Sequence, residues 1–117
     1  MSFLNQNDKR RQFVVDKLDY YIKDESISRN IEKSIYNYTI KLSVELNITR
    51  SWENIIFLKL YLSKVRSIYS NIKPDSYIKN TDFLKRILNG DINIEKISQL
   101  TRMEIYPDNW KELIDNK

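Results

Sequence analysis

The chain has 117 residues, 41% hydrophobic and 31% charged, which suits one globular domain with a modest core and argues against a disordered chain. It contains no cysteine and no histidine, which excludes a disulfide framework, a thiolate metal site and the usual general base. Net charge is +4, no apolar run approaches the roughly 18 residues of a membrane span, and Met1–Asn7 lacks the charged-then-apolar order of a secretory signal.

Residues 1–7 read as a flexible polar lead. A first helix is predicted from about Asp8 to Lys23, burying Phe13, Val14, Leu18, Tyr21 and Ile22, with Asp8 at the positive end of the helix dipole. A break follows at Asp24–Ser28. Ser26 or Ser28 can cap a second helix reaching about Leu46, where Ile27, Ile31, Ile35, Tyr38, Leu42 and Leu46 repeat at helical steps. The adjacent acids Asp24 and Glu25 could suggest a catalytic or metal-binding pair. No residue type nearby supports such chemistry, so they are read as helix-start electrostatics.

The stretch Ser51–Lys73 has the cleanest helical period. Ile55, Leu58, Leu62, Val65, Tyr69 and Ile72 are read as its core face, and Leu62 as a large core residue. Thr49 or Ser51 is the expected N-cap, and Pro74 the stop. Beside the core face runs a second stripe, Trp52, Lys59, Arg66 and Lys73, each seven residues from the last. Seven residues are about two turns, so these side chains nearly align, with a drift of roughly 20° per step.

After the loop Asp75–Lys79, Asn80 should cap a short helix, Thr81–Asn89, with Phe83, Leu84, Ile87 and Leu88 inward and Gly90 as the left-handed residue beyond its end. Asn93 can cap a further turn or two carrying Ile94, Ile97 and Leu100. Thr101 and Glu104 fit a capping box, and Pro107 fits the first position of a terminal helix anchored by Trp110 and Leu113. That helix has no stop signal and reads as cut rather than finished. The period is helical almost throughout. The expected architecture is therefore all-α: a three-helix bundle with additional short C-terminal helices.

Charge is placed unevenly. From Arg50 to Gly90 eight basic residues face three acidic ones, whereas Asp91–Lys117 carries a surplus of two acids. Such a patch can meet an acidic protein surface or nucleic acid. Nucleic-acid binders usually show denser Lys/Arg clustering, often with exposed aromatics, so a protein partner ranks first and direct nucleic-acid binding is expected to be weak or absent. The rival reading is a small basic helical domain gripping nucleic acid through Lys59, Arg66, Lys73, Lys79, Lys85 and Arg86.

Four blocks, in order, carry a resemblance. They are Tyr61-Leu62-Ser63-Lys64-Val65-Arg66-Ser67-Ile68-Tyr69-Ser70-Asn71-Ile72-Lys73, then Lys79-Asn80-Thr81-Asp82-Phe83-Leu84, then Ile87-Leu88-Asn89-Gly90-Asp91-Ile92, then Leu100-Thr101-Arg102-Met103-Glu104-Ile105. Upstream, Ile31-Glu32-Lys33-Ser34-Ile35-Tyr36 adds a second-helix motif. Together they resemble the central domain of transcription elongation factor S-II (TFIIS). Three features depart from the cellular pattern: Thr49–Tyr61 with Trp52, Ile105–Trp110, and Thr81 where proline is common. These, with the A/T-biased composition, resemble the versions carried by large cytoplasmic DNA viruses.

The resemblance implies a central helical domain over residues 8–114 and the start of a linker at 115–117, leading toward a zinc ribbon that this chain lacks. In that family the central domain docks on a multisubunit DNA-directed RNA polymerase. The ribbon reaches the active site and promotes transcript cleavage by the polymerase itself. Its four zinc-binding cysteines and acidic hairpin are missing here, so no cofactor is expected in this chain, and Asp24-Glu25 is not that hairpin. The resemblance implies a non-enzymatic monomer without membrane contact, located in the host cytoplasm (the viral factory) or the virion if viral, and in the nucleus if cellular. Arg66 and Lys73 fall on the family's polymerase-contacting basic positions, and Lys59 lies on the same line in the divergent segment. The alternative for Arg66 is to hold the bundle by bonding a helix C-terminal carbonyl. A truncated protein that occupies the docking site without a hairpin, and so inhibits, is a further alternative.

Overall fold

Three long helices form where the apolar period demands them, and short helical turns follow. The computed structural model describes residues 9–76 and 78–107. The elements are α1 (Lys9–Ile22), α2 (Glu25–Glu45), α3 (Ile55–Ile72), α4 (Phe83–Leu88), a 3₁₀ segment (Ile94–Gln99) and α5 (Arg102–Ile105). No strand occurs among the described residues, and the all-α expectation holds. α1, α2 and α3 pack on one another, the 3₁₀ segment lies along α2, and α4 sits against α3. Asp8, Trp110, Leu113 and the predicted terminal helix beyond Pro107 fall outside the described residues.

Local chemistry sets the helix ends. Lys23, at φ 57, turns the chain out of α1. Asp24, rather than Ser26 or Ser28, caps α2 by accepting from the Ile27 N–H at 3.2 Å. Ser28 is buried and donates its hydroxyl to Asp19 at 2.9 Å. Glu25 pairs with Arg29 at 2.7 Å, so both acids of this junction serve the helix start. α2 ends in a Schellman motif on Asn47, at φ 56: Asn47 N–H donates to Val44 and Ile48 N–H to Ser43. Gly90, at φ 78, closes α4 in the same way, with Gly90 N–H on Ile87 and Asp91 N–H on Arg86. The Thr101–Glu104 capping box is present. The Thr101 backbone N–H, followed by its hydroxyl, holds the Glu104 carboxyl below the usual carboxylate range.

The buried faces are rotated from those expected. On α1 the buried residues are Arg11, Val14, Val15, Leu18 and Ile22, while Phe13 faces water. On α2 they include Ser28, Ile31, Ser34, Ile35, Thr39 and Ser43, while Leu46 is exposed. Small hydroxyl residues can take this face because their own helix satisfies them: Thr39 donates to the Ile35 carbonyl at 2.8 Å and Ser43 to the Ile40 carbonyl at 2.7 Å. Ser34 does more. Its hydroxyl meets the Glu95 carbonyl and the Ser98 hydroxyl, each at 3.1 Å, so the 3₁₀ segment lies close against α2.

On α3 the core face is Phe57, Tyr61, Ile68 and Ile72, with Leu58, Val65 and Tyr69 half-buried. Ile55 and Leu62 point outward, Leu62 with 41% of its surface exposed, which corrects the expectation that Leu62 is core. Truncating it belongs with surface changes. Trp52 moves the other way. It precedes the helix, is 5% exposed, and packs edge-on against Phe57 and Tyr61 at centroid distances of 5.4 and 4.9 Å. Its indole N–H has no partner among the described residues.

Two buried polar groups knit the helices. Arg11 of α1 makes a bidentate pair with Glu32 of α2, both contacts 2.8 Å, and Tyr61 of α3 donates to the same carboxylate at 2.8 Å. The Arg11 guanidinium also lies 3.7 Å from the Tyr36 ring centroid. The second is Asn80, fully buried. Its side-chain oxygen accepts from the N–H groups of Asp82 and Phe83, and its amide donates to Asn71 and to the Ile105 carbonyl. Asn80 thus starts α4, although the helix begins at Phe83 rather than Thr81, and it ties α5 to the C-terminal turn of α3.

Candidate docking face on the third helix

Asn54 caps α3, accepting from the Ile56 and Phe57 N–H groups at 2.9 and 3.4 Å, so the helix begins several residues later than Thr49 or Ser51 would allow. This splits the predicted stripe. Trp52 lies inside the core. Lys59 and Arg66 are exposed on the helix, and Lys73 is the half-buried C-cap. Lys59 and Lys73 are 14 residues apart by sequence number, so at the helical rise the three cations span about 21 Å.

None of the three makes a side-chain hydrogen bond or ion pair among the described residues. The bundle-holding bond considered for Arg66 is made by Arg86 instead. Its guanidinium donates to the carbonyls of Glu104 (2.9 Å) and Ile105 at the end of α5, and its Nε lies 2.8 Å from Asp82 without hydrogen-bond alignment. Arg86 is therefore committed internally, which removes it from the basic set considered for nucleic acid. Lys64 is also withdrawn: burial lowers its pKa, and its ammonium sits 4.5 Å from the Tyr38 ring centroid.

Apolar residues complete the face. Ile55, Ile56 and Leu62 are exposed between and beside Lys59 and Arg66. Sequence reasoning missed them by assigning Ile55 and Leu62 to the core; the readable signal is Asn54, whose cap places the Ile55-Ile56 pair at the very start of the helix. Aliphatic area interleaved with long cations is the composition of a protein-binding surface more than of a bare phosphate track. Among the described residues no group of three or more acids, cysteines or histidines could hold a metal ion, and no helix is long and apolar enough to cross a membrane.

A family profile for transcription factor S-II (TFIIS), central domain, matches residues 5–117. The chain belongs to the TFIIS central-domain family. No curated protein and no solved structure matches it. The TFIIS family is associated with transcription elongation and with RNA polymerase binding, and its central domain is a binding domain without catalytic chemistry of its own. Of the positions implied by resemblance, Arg66 lies on α3 with Lys59, and Lys73 is the residue that caps the helix at its C-terminal end.

Proposed function

We propose that this chain is the polymerase-docking module of an S-II-type elongation factor, using Lys59, Arg66 and Lys73 of the α3 face to engage acidic groups on a multisubunit DNA-directed RNA polymerase. The observation that carries the proposal is the uncommitted cationic line, set among exposed aliphatic residues, on a TFIIS central domain. Working with a C-terminal zinc ribbon, the factor stimulates transcript cleavage by the polymerase and rescues arrested complexes. The module needs no cofactor and acts as a monomer. The abundance of Asn, Ile, Lys and Tyr and the single glycine support a viral version acting in the host cytoplasm.

A pull-down of the cognate polymerase tests the docking face. The wild-type domain should retain polymerase, and an Arg66→Glu, Lys73→Glu double variant of confirmed fold should lose it. Breaking well-formed interfacial charge pairs costs about 2–5 kcal/mol each, enough to abolish capture. Equal capture by both proteins would move the interface elsewhere on the domain, and capture by neither would overturn docking by this domain alone.

A further inference from the structure

The exposed face of α1 carries chemistry that polymerase docking does not use. Lys9, Phe13, Lys17 and Tyr20 follow one another at helical steps and share one face. Phe13 is 61% exposed and Tyr20 73%, and both lysines are exposed. The strip continues onto α3. The Lys17 ammonium lies 5.5 Å from the Phe13 ring centroid and 5.3 Å from that of Tyr69. Tyr20 meets Tyr21 at 4.8 Å between centroids, and Tyr21 meets Tyr69 at 5.9 Å. Asp19 is turned to another partner, accepting from Ser28 at 2.9 Å, whereas Asp16 is exposed on this face between Phe13 and Tyr20, where it accepts from Gln12 at 2.9 Å.

Lys and Arg are not densely clustered here, but exposed aromatics, the other feature of a nucleic-acid surface, are present: Phe13, expected in the core, faces water beside Tyr20. Cations alternating with exposed rings supply what an unpaired strand needs, flat apolar faces for bases and ammonium groups for phosphates. An apolar partner would have to strip water from Lys9 and Lys17 without compensation. An acidic polypeptide would match the lysines but has no flat group to lay on the rings. A duplex keeps its base faces stacked and out of reach.

We propose that the α1 face is a second binding surface, for single-stranded nucleic acid, on which Phe13 and Tyr20 stack bases while Lys9 and Lys17 meet phosphates. It stands independently of polymerase docking. The test is fluorescence anisotropy of the full chain with labelled oligo(U) at low salt, a duplex of equal length, and polyglutamate as competitor. Oligo(U) should bind, and the duplex should bind at least about tenfold more weakly. A Phe13→Ala, Tyr20→Ala variant with an unchanged thermal melt should lose about a hundredfold, since each base–aromatic stack contributes about tenfold. A Lys33→Ala, Lys41→Ala variant removes two charges from α2 beside the 3₁₀ segment and should change binding only a few-fold. Absence of oligo(U) binding, equal binding of duplex, wild-type affinity in the aromatic variant, or displacement by polyglutamate as readily as by unlabelled oligo(U) would each overturn the proposal.

Discussion

Replacing Glu32 by alanine is expected to destabilise the domain by about 3–5 kcal/mol, the cost of leaving a buried charge without its partner. Arg11 and Glu32 are both buried, and Tyr61 donates to the same carboxylate, so the substitution takes one acceptor from a guanidinium and a hydroxyl at once. Burial pulls the Arg11 pKa down, but the hydrogen bonds and charge of Glu32 outweigh it and the value lies above the ordinary one. With the pair intact, a raised folded value means that this contribution is fully present below the unfolded guanidinium pKa and is lost as the pH rises through the folded value, in strong alkali. Equilibrium urea unfolding measures the loss, and the thermal midpoint should fall by more than about 10 °C. The triple variant Arg11→Met, Glu32→Leu, Tyr61→Phe should recover most of it, because a packed apolar replacement carries no desolvation cost. A loss under about 1 kcal/mol in Glu32→Ala would show that the triad does not hold the bundle.

Trp52→Ala is expected to cost about 3–5 kcal/mol, as for other buried large aromatics. The indole fills the space between Tyr36, Phe57 and Tyr61. Trp52→Phe should cost only about 1 kcal/mol, since it removes volume together with an N–H that has no partner among the described residues. Leu62→Ala, on the outer face of α3, should also cost about 1 kcal/mol by the area it covers. Urea unfolding of the three variants separates these values. A Leu62→Ala loss as large as that of Trp52→Ala would contradict the orientation of α3.

That orientation shows what the sequence could and could not disclose. α3 has two adjacent apolar stripes, one through Leu58, Leu62 and Val65 and one through Phe57, Tyr61 and Ile68, and periodicity cannot choose between them. The aromatic stripe wins because it buries more area and because the Tyr61 hydroxyl finds Glu32. That partner is 29 positions away in the chain, beyond any local pattern. The same blindness hid Arg11, a charged residue in the core, and Trp52, whose place in the stripe assumed that the helix had already begun. Features of local origin were readable: Gly90, the Asn93 cap, the Thr101–Glu104 box and the family blocks. Of the candidate docking residues, the seven-residue spacing of Lys59, Arg66 and Lys73 was legible, but not that Lys73 leaves the helix as its half-buried C-cap. Their freedom from internal partners, and the commitment of Arg86, required the packing.

The carboxylate shared by three helices would also govern the docking proposed for α3. Tyr61 and Arg66 ride on the same helix, and turning that helix about its axis would break a hydrogen bond to a buried charge. The outward face is therefore held at a fixed azimuth before any encounter. What remains to be ordered on contact is the long flexible stems of Lys59 and Arg66, at about 0.5–1.5 kcal/mol each, rather than backbone. An association of this kind is between preset shapes, and its selectivity is written into the interior of the bundle as much as into its surface.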